Sequence, residues 1–185
     1  MFTIQKSLKI TGIVLTAVVL FLAAALILIV IFAHPNDQPG RINAVSGLPN
    51  FHRVDPYLFR GAAPTRIGMQ ALKKLDVKTI IDFRVNPQMV RSECDTAQHL
   101  GMRYINLPIR NCNVTSNCRK VFFDTVGAAA ANPSDGAVFV HCAHGSDRTG
   151  LMVGLWRVQH DGWSYPDALQ EMLKYGFFIH RFLGT

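Results

Sequence analysis

Residues 136–150 read GAVFVHCAHGSDRTG. The first seven form an apolar, β-branched run of the kind that makes a buried strand in a parallel sheet, ending at Cys142. The sequence from Arg148, RTGLMVGLWRVQHDG, reads as a helix stopped at Asp161 and Gly162. A turn between a strand and a helix points successive backbone N–H groups into one concavity, which suits a tetrahedral dianion. Gly145 lets that turn curl without a Cβ clash. Arg148 adds a planar fork of donors able to grip two oxygens at once. Cys142, at the base of the turn, faces the same amides, the helix dipole and the guanidinium, all of which favour thiolate over thiol. The stretch therefore reads as a loop that binds a phosphate and aims a nucleophile at its phosphorus. Thr149 can donate its hydroxyl to the sulfur and ease its later departure. A lone cysteine ending a strand is more often structural. It is the register of cysteine, glycine, arginine and threonine that carries the catalytic reading.

Upstream, the pattern alternates between the two periods. YLFRG (57–61) reads as a short strand, and Thr65 caps a helix over 66–75. VKTIIDFR (77–84) reads as a second strand, and residues 86–101 as a helix ended by Gly101. MRYINLPI (102–109) is a third strand, residues 110–117 a loop, and 118–133 an alanine-rich helix ended by Pro133. After the strand 136–142 and its helix, Ser164 caps a last helix that stops at Gly176. Strands separated by helices imply right-handed crossovers and a mostly parallel α/β sheet of four to five strands, covered on both faces. Ligands bind such sheets beyond the carboxyl ends of the strands, where HCAHGSDR lies.

The first residues pose a separate question. Ile10 to Ala33 carry no charge and no proline, and as a helix they would span roughly 36 Å. A signal peptide has a shorter apolar core, so an uncleaved transmembrane signal-anchor is expected over 10–33. Lys6 and Lys9 place residues 1–9 in the cytoplasm, residues 34–49 read as a linker, and 50–185 as one domain on the far side of the membrane. The formal charge of +7 is scattered and without aromatic interleaving, which argues against nucleic acid as a partner and weakly for anionic substrates.

HCAHGSDRTG resembles the HCxxGxxR[ST]G signature of the cysteine-dependent protein tyrosine phosphatases, placed near the C-terminus as in their dual-specificity branch. NFHRVDPYLFRGAAPT, LKKLDVKTIIDFR, HLGMRYINLPI and EMLKYGFFIH are similar to stretches of the bacterial membrane-exported group and of the atypical plant and fungal group. The resemblance implies the cysteine-phosphatase fold, a phosphoprotein substrate, and neither metal nor other cofactor. It implies a phosphocysteine on Cys142, with Arg148 and the loop amides of Ala143, His144, Gly145 and Ser146 holding the phosphate. His141 would support the loop through backbone carbonyls.

One part of the pattern is missing. The family supplies an aspartate as general acid on a loop before the cysteine, but LPIRNCNVTSNCRK (107–120) contains no carboxylate. Asp82 lies at the correct sheet edge and reads as a residue that orients loop backbone. Asp147 remains as candidate acid, against the alternative that it only caps the following helix. Arg84 and Arg91 are candidates to line the approach. Cys112 and Cys118 are candidates for a disulfide in an oxidising compartment, against the alternative of two free thiols. Three readings of function follow: a phosphatase for phosphotyrosine and, further, phosphoserine or phosphothreonine; a phosphoinositide phosphatase, disfavoured because the loop lacks lysine; and a pseudophosphatase that binds without turnover. Oligomeric state is not encoded in any of these features.

Overall fold

A computed structural model describes residues 45–177. Five strands form one sheet in the order β1-β2-β5-β3-β4: β1 (His52–Asp55), β2 (Leu58–Ala62), β3 (Val77–Asp82), β4 (Arg103–Asn106) and β5 (Ala137–Cys142). Five α-helices are described: α1 (Arg66–Lys74), α2 (Pro87–His99), α3 (Ser116–Ala131), α4 (Asp147–Gln159) and α5 (Tyr165–Lys174). The helix starts follow the capping chemistry. Thr65 and Ser164 accept from the amides of Gly68 and Asp167 as expected, and Asn86 and Thr115 cap α2 and α3 in the same way.

The expected architecture needs two corrections. First, a strand not expected from the sequence joins the mostly parallel sheet: β2, β5, β3 and β4 run parallel, and β1 pairs antiparallel with β2 across a two-residue connection. HRVD is short and mostly polar, so it gives little strand signal; it forms because it sits on the free edge of β2. Second, the anchor expected over 10–33 lies outside the described residues. Among the described residues no helix is long and apolar enough to cross a membrane. The longest, α3, has 16 residues and spans about 24 Å. The transmembrane helix is therefore withdrawn from the architecture, and with it the single-pass placement beyond a membrane and the membrane as a partner. Part of the stretch read as linker packs onto the domain: Leu48 is buried, and the carbonyls of Gly47 and Pro49 accept from Thr65 and Ala62.

The central strand divides the core by its period of two. Val138, Val140 and Cys142 face a cluster built with Phe122 and Val126 of α3 and Met152, Val153 and Trp156 of α4. Ala137 and Phe139 face the opposite cluster, with Met69 and Leu72 of α1 and Ala97 of α2. All six residues of β5 are buried, which explains the unbroken apolar run.

At the margin of the first cluster, Arg157 of α4 ties three elements together. Its guanidinium bonds Asp55 and the Val54 carbonyl on β1, Asp161 in the α4–α5 connection, and Glu171 on α5, and lies 4.5 Å over the Trp163 ring. Replacing it leaves three mostly buried carboxylates without a cation. Arg157→Met is expected to cost about 3–5 kcal/mol in urea unfolding. Lys120→Ala, which breaks an exposed pair with Asp124 on α3, should cost less than about 0.5 kcal/mol. Equal costs would contradict this account.

Candidate active site

The carboxyl ends of β2, β5 and β3 meet at one edge, with Ala62 paired to Cys142 and Asp82 to His141. Cys142 ends β5 and retains 2% exposure, at the base of the turn that follows. Residues 143–146 form that turn, and α4 begins at Asp147.

The turn is held from outside by three donors. Ala63 N bonds the Ala143 carbonyl at 3.3 Å, Asn50 Nδ2 the His144 carbonyl at 3.1 Å, and Arg60 Nη2 the Gly145 carbonyl at 2.9 Å. Each peptide unit is planar and, as no cis bond occurs, trans, so its N–H points opposite to its C=O. Fixing these carbonyls toward β2 and the segment before it turns the amides of His144, Gly145 and Ser146 the other way. Gly145 has φ of +73°, and a Cβ there would lie 2.4 Å from the Gly61 carbonyl carbon. Only glycine lets the turn approach β2 this closely.

Two hydroxyls of the same segment, Ser146 Oγ and Thr149 Oγ1, are buried and make no hydrogen bond among the described residues. Such groups cost about 1–3 kcal/mol each unless an acceptor or donor meets them. Arg148, in the first turn of α4, donates from Nη1 to the Phe83 carbonyl at 3.3 Å, leaving its other donors for a ligand. Asp147 opens the same helix, and the Ser146 N-cap makes no side-chain cap bond.

Beneath the edge lies a charged network. Asp82 is fully buried and accepts from the backbone N–H and guanidinium of Arg84 and from the Tyr104 hydroxyl. Burial alone would raise its carboxyl pKa, but His141 and these hydrogen bonds outweigh burial and hold it below the ordinary range. Burial also raises the Tyr104 hydroxyl, with Asp82 adding to the effect. Asp82 holds the backbone just after β3 through the Arg84 amide. His141 Nδ1 lies 3.2 Å from the Cys142 carbonyl, and its Nε2 lies 2.7 Å from Glu93 Oε1, close but not aligned as a hydrogen bond. Donor atoms of Asp82, Glu93 and His141 approach one another as metal ligands could. Arg84, however, bonds both carboxylates and already supplies their cation. It is thus part of this network and does not line an approach.

Sequence reasoning passed over Arg60, which has no exposed surface. Burial lowers its guanidinium pKa to about 10, against the attraction of Glu171, Tyr175 and Cys142, and leaves it charged at neutral pH. It stacks 4.5 Å from the Tyr175 ring. The available signal was a charge inside an otherwise apolar strand. Cys118 is buried in the first turn of α3, while Cys112 sits in a turn with φ of +57°, and no disulfide joins the two.

Residues 45–177 match the family model described as DSP-PTPase phosphatase fused to NAD+ kinase. The chain belongs to that phosphatase family. The dual specificity protein phosphatase TpbA of Pseudomonas aeruginosa (strain UCBPP-PA14) is 31% identical over 148 residues, covering 76% of this chain. The chain spans 61% of the length of that curated relative. A human phosphatidylglycerophosphatase and protein-tyrosine phosphatase 1 is 25% identical, over 70% of this chain and 66% of its own. A crystal structure of a cysteine-to-serine variant of P. aeruginosa TpbA in complex with pTyr superposes with TM-score 0.60 at 26% identity, covering 77% of this chain and 84% of that one.

Within this phosphatase family member, the outward anchoring of the turn gives a direct expectation. Arg60→Met keeps the apolar stem but frees the Gly145 carbonyl. Binding of inorganic phosphate, read by calorimetry, should weaken about tenfold or more, with Arg60→Lys recovering part of it. Unchanged binding in a folded Arg60→Met protein would mean the turn holds its shape without the guanidinium.

Proposed function

We propose that the chain is a cysteine-dependent phosphomonoesterase that hydrolyses phosphotyrosine in proteins, with phosphoserine and phosphothreonine as further substrates. The observation that carries this reading is the turn 143–146, whose carbonyls are tied outward by three separate groups. Family membership supports phosphatase chemistry, and the complex of TpbA with pTyr supports the aryl substrate.

The chemistry follows from the parts. The phosphoryl group is received by the amides of residues 143–148 and by the fork of Arg148. The Cys142 thiolate attacks phosphorus as the bond to the substrate oxygen breaks, giving a phosphocysteine and an alcohol or phenol. Asp147 is the candidate donor of the proton that oxygen needs. Water then attacks phosphorus, the S–P bond breaks, and the departing thiolate is met by the Thr149 hydroxyl, which is buried in the first turn of α4 and makes no hydrogen bond among the described residues. The proton lost by water returns to the carboxylate, and inorganic phosphate leaves. A phenol, with pKa near 10, leaves with less help than an alkyl alcohol does. The absence of a carboxylate in 107–120 therefore favours phosphotyrosine over alkyl phosphates. The 25% identity to a human enzyme named for both lipid and protein phosphates makes a lipid substrate the second reading.

Steady-state hydrolysis of a phosphotyrosine peptide, a phosphoserine peptide and a phosphoinositide by the full chain separates these readings, with the first expected fastest. Cys142→Ser should abolish turnover and retain phosphopeptide binding; residual turnover would place the nucleophile elsewhere. Asp147→Asn should slow alkyl phosphates by about 10²–10³ and aryl phosphates much less. An unchanged profile removes Asp147 from proton transfer.

A further inference from the structure

A cleft of about 480 Å³ opens between the start of α2 and the loop that follows β4. Val85, Val90 and Pro108 line it together with two arginines, Arg91 on α2 and Arg110 in the loop after β4. Both arginines are exposed, and neither has a carboxylate partner among the described residues. No acidic residue lines the cleft. Its position relative to the turn is set by one carbonyl. Phe83 O, at the end of β3, accepts from Arg148 Nη1 and also from Ile109 N. Pro108 and Arg110 flank Ile109, and Val85 follows Phe83 by two residues, so the cleft adjoins the backbone on which Arg148 rests.

We propose that this cleft is a specificity subsite that takes an acidic residue, aspartate or glutamate, flanking the phosphotyrosine of a peptide substrate. The inference rests on the phosphotyrosine reading above. Two guanidinium groups present planar donor forks matched to a carboxylate. The aliphatic walls between them take the methylene stem that carries it. Where other family members are expected to place a carboxylate, this loop carries Arg110 and no acid, so an acidic substrate side chain meets no like charge there.

The experiment compares kcat/KM for phosphotyrosine peptides flanked by glutamate with the same peptides flanked by glutamine, using the full chain at low and high salt. Wild type is expected to prefer the acidic peptide by about fivefold or more, with the preference shrinking at high salt. The Arg91→Gln/Arg110→Gln double variant should bring the ratio to about one, and Arg110→Lys should restore part of it. Lys74→Ala, a charge loss at the end of α1, should keep the wild-type ratio. A wild-type ratio near one, or a ratio the double variant does not change, overturns the subsite. So does a dependence on these arginines confined to phosphoinositide hydrolysis. If no phosphotyrosine peptide is turned over, the functional reading fails separately. Binding of the two peptides to the Cys142→Ser protein, with and without the arginines, then decides the subsite by the same ratio.

Discussion

The site depends on the close approach of the turn after β5 to the end of β2. Gly145 can lie against Gly61 only because it has no Cβ, and that approach brings its carbonyl to the Arg60 guanidinium. The parallel register of β2 on β5, with Ala62 beside Cys142, puts both partners at the same height. A strand displaced by one residue would turn Arg60 to the other face and leave the turn without its anchor. The surroundings of Cys142 are thus fixed by sheet pairing first and by the loop's own residues second.

The buried charges around this edge follow the same logic. Isolated, each would be costly, and a hydrophobic replacement of similar volume is often as stable. Here they are spent on geometry. Arg84, Asp82, Tyr104 and Glu93 bond one another and fix the end of β3, while Asn106 holds the carbonyls of Asp82 and Arg84. Arg60 has two nitrogens without a hydrogen-bond partner among the described residues, and an aromatic face beside it. A guanidinium kept under those conditions points to the value of the one bond it makes to Gly145.

Much of this could be read from local sequence. The unbroken apolar run of 136–142, the caps at Thr65 and Ser164 and the glycine of the turn each follow from backbone chemistry within a few residues. What escaped is what arrives from far along the chain. Asn50 and Arg60 reach carbonyls 94 and 85 positions away, a relation no window of local periodicity contains. The strand His52–Asp55 escaped for a related reason: its signal is its partner, not its composition. The helix boundary before Cys118 moved because Thr115, three residues ahead of it, had an oxygen to offer. The apolar segment 10–33 invited a membrane reading on length and hydropathy alone, and among the described residues no helix is long and apolar enough to cross a membrane.

The alternation along β5 sets Cys142 and His141 on opposite sides of the sheet, although they are adjacent in the chain. The sulfur belongs with α3 and α4, and the imidazole with Glu93 of α2. The two side chains thus lie in different layers, joined by their shared peptide and by the contact of the imidazole with the Cys142 carbonyl. A substitution on the α2 side leaves the apolar walls around the sulfur in place and reaches it only by way of the backbone of β5.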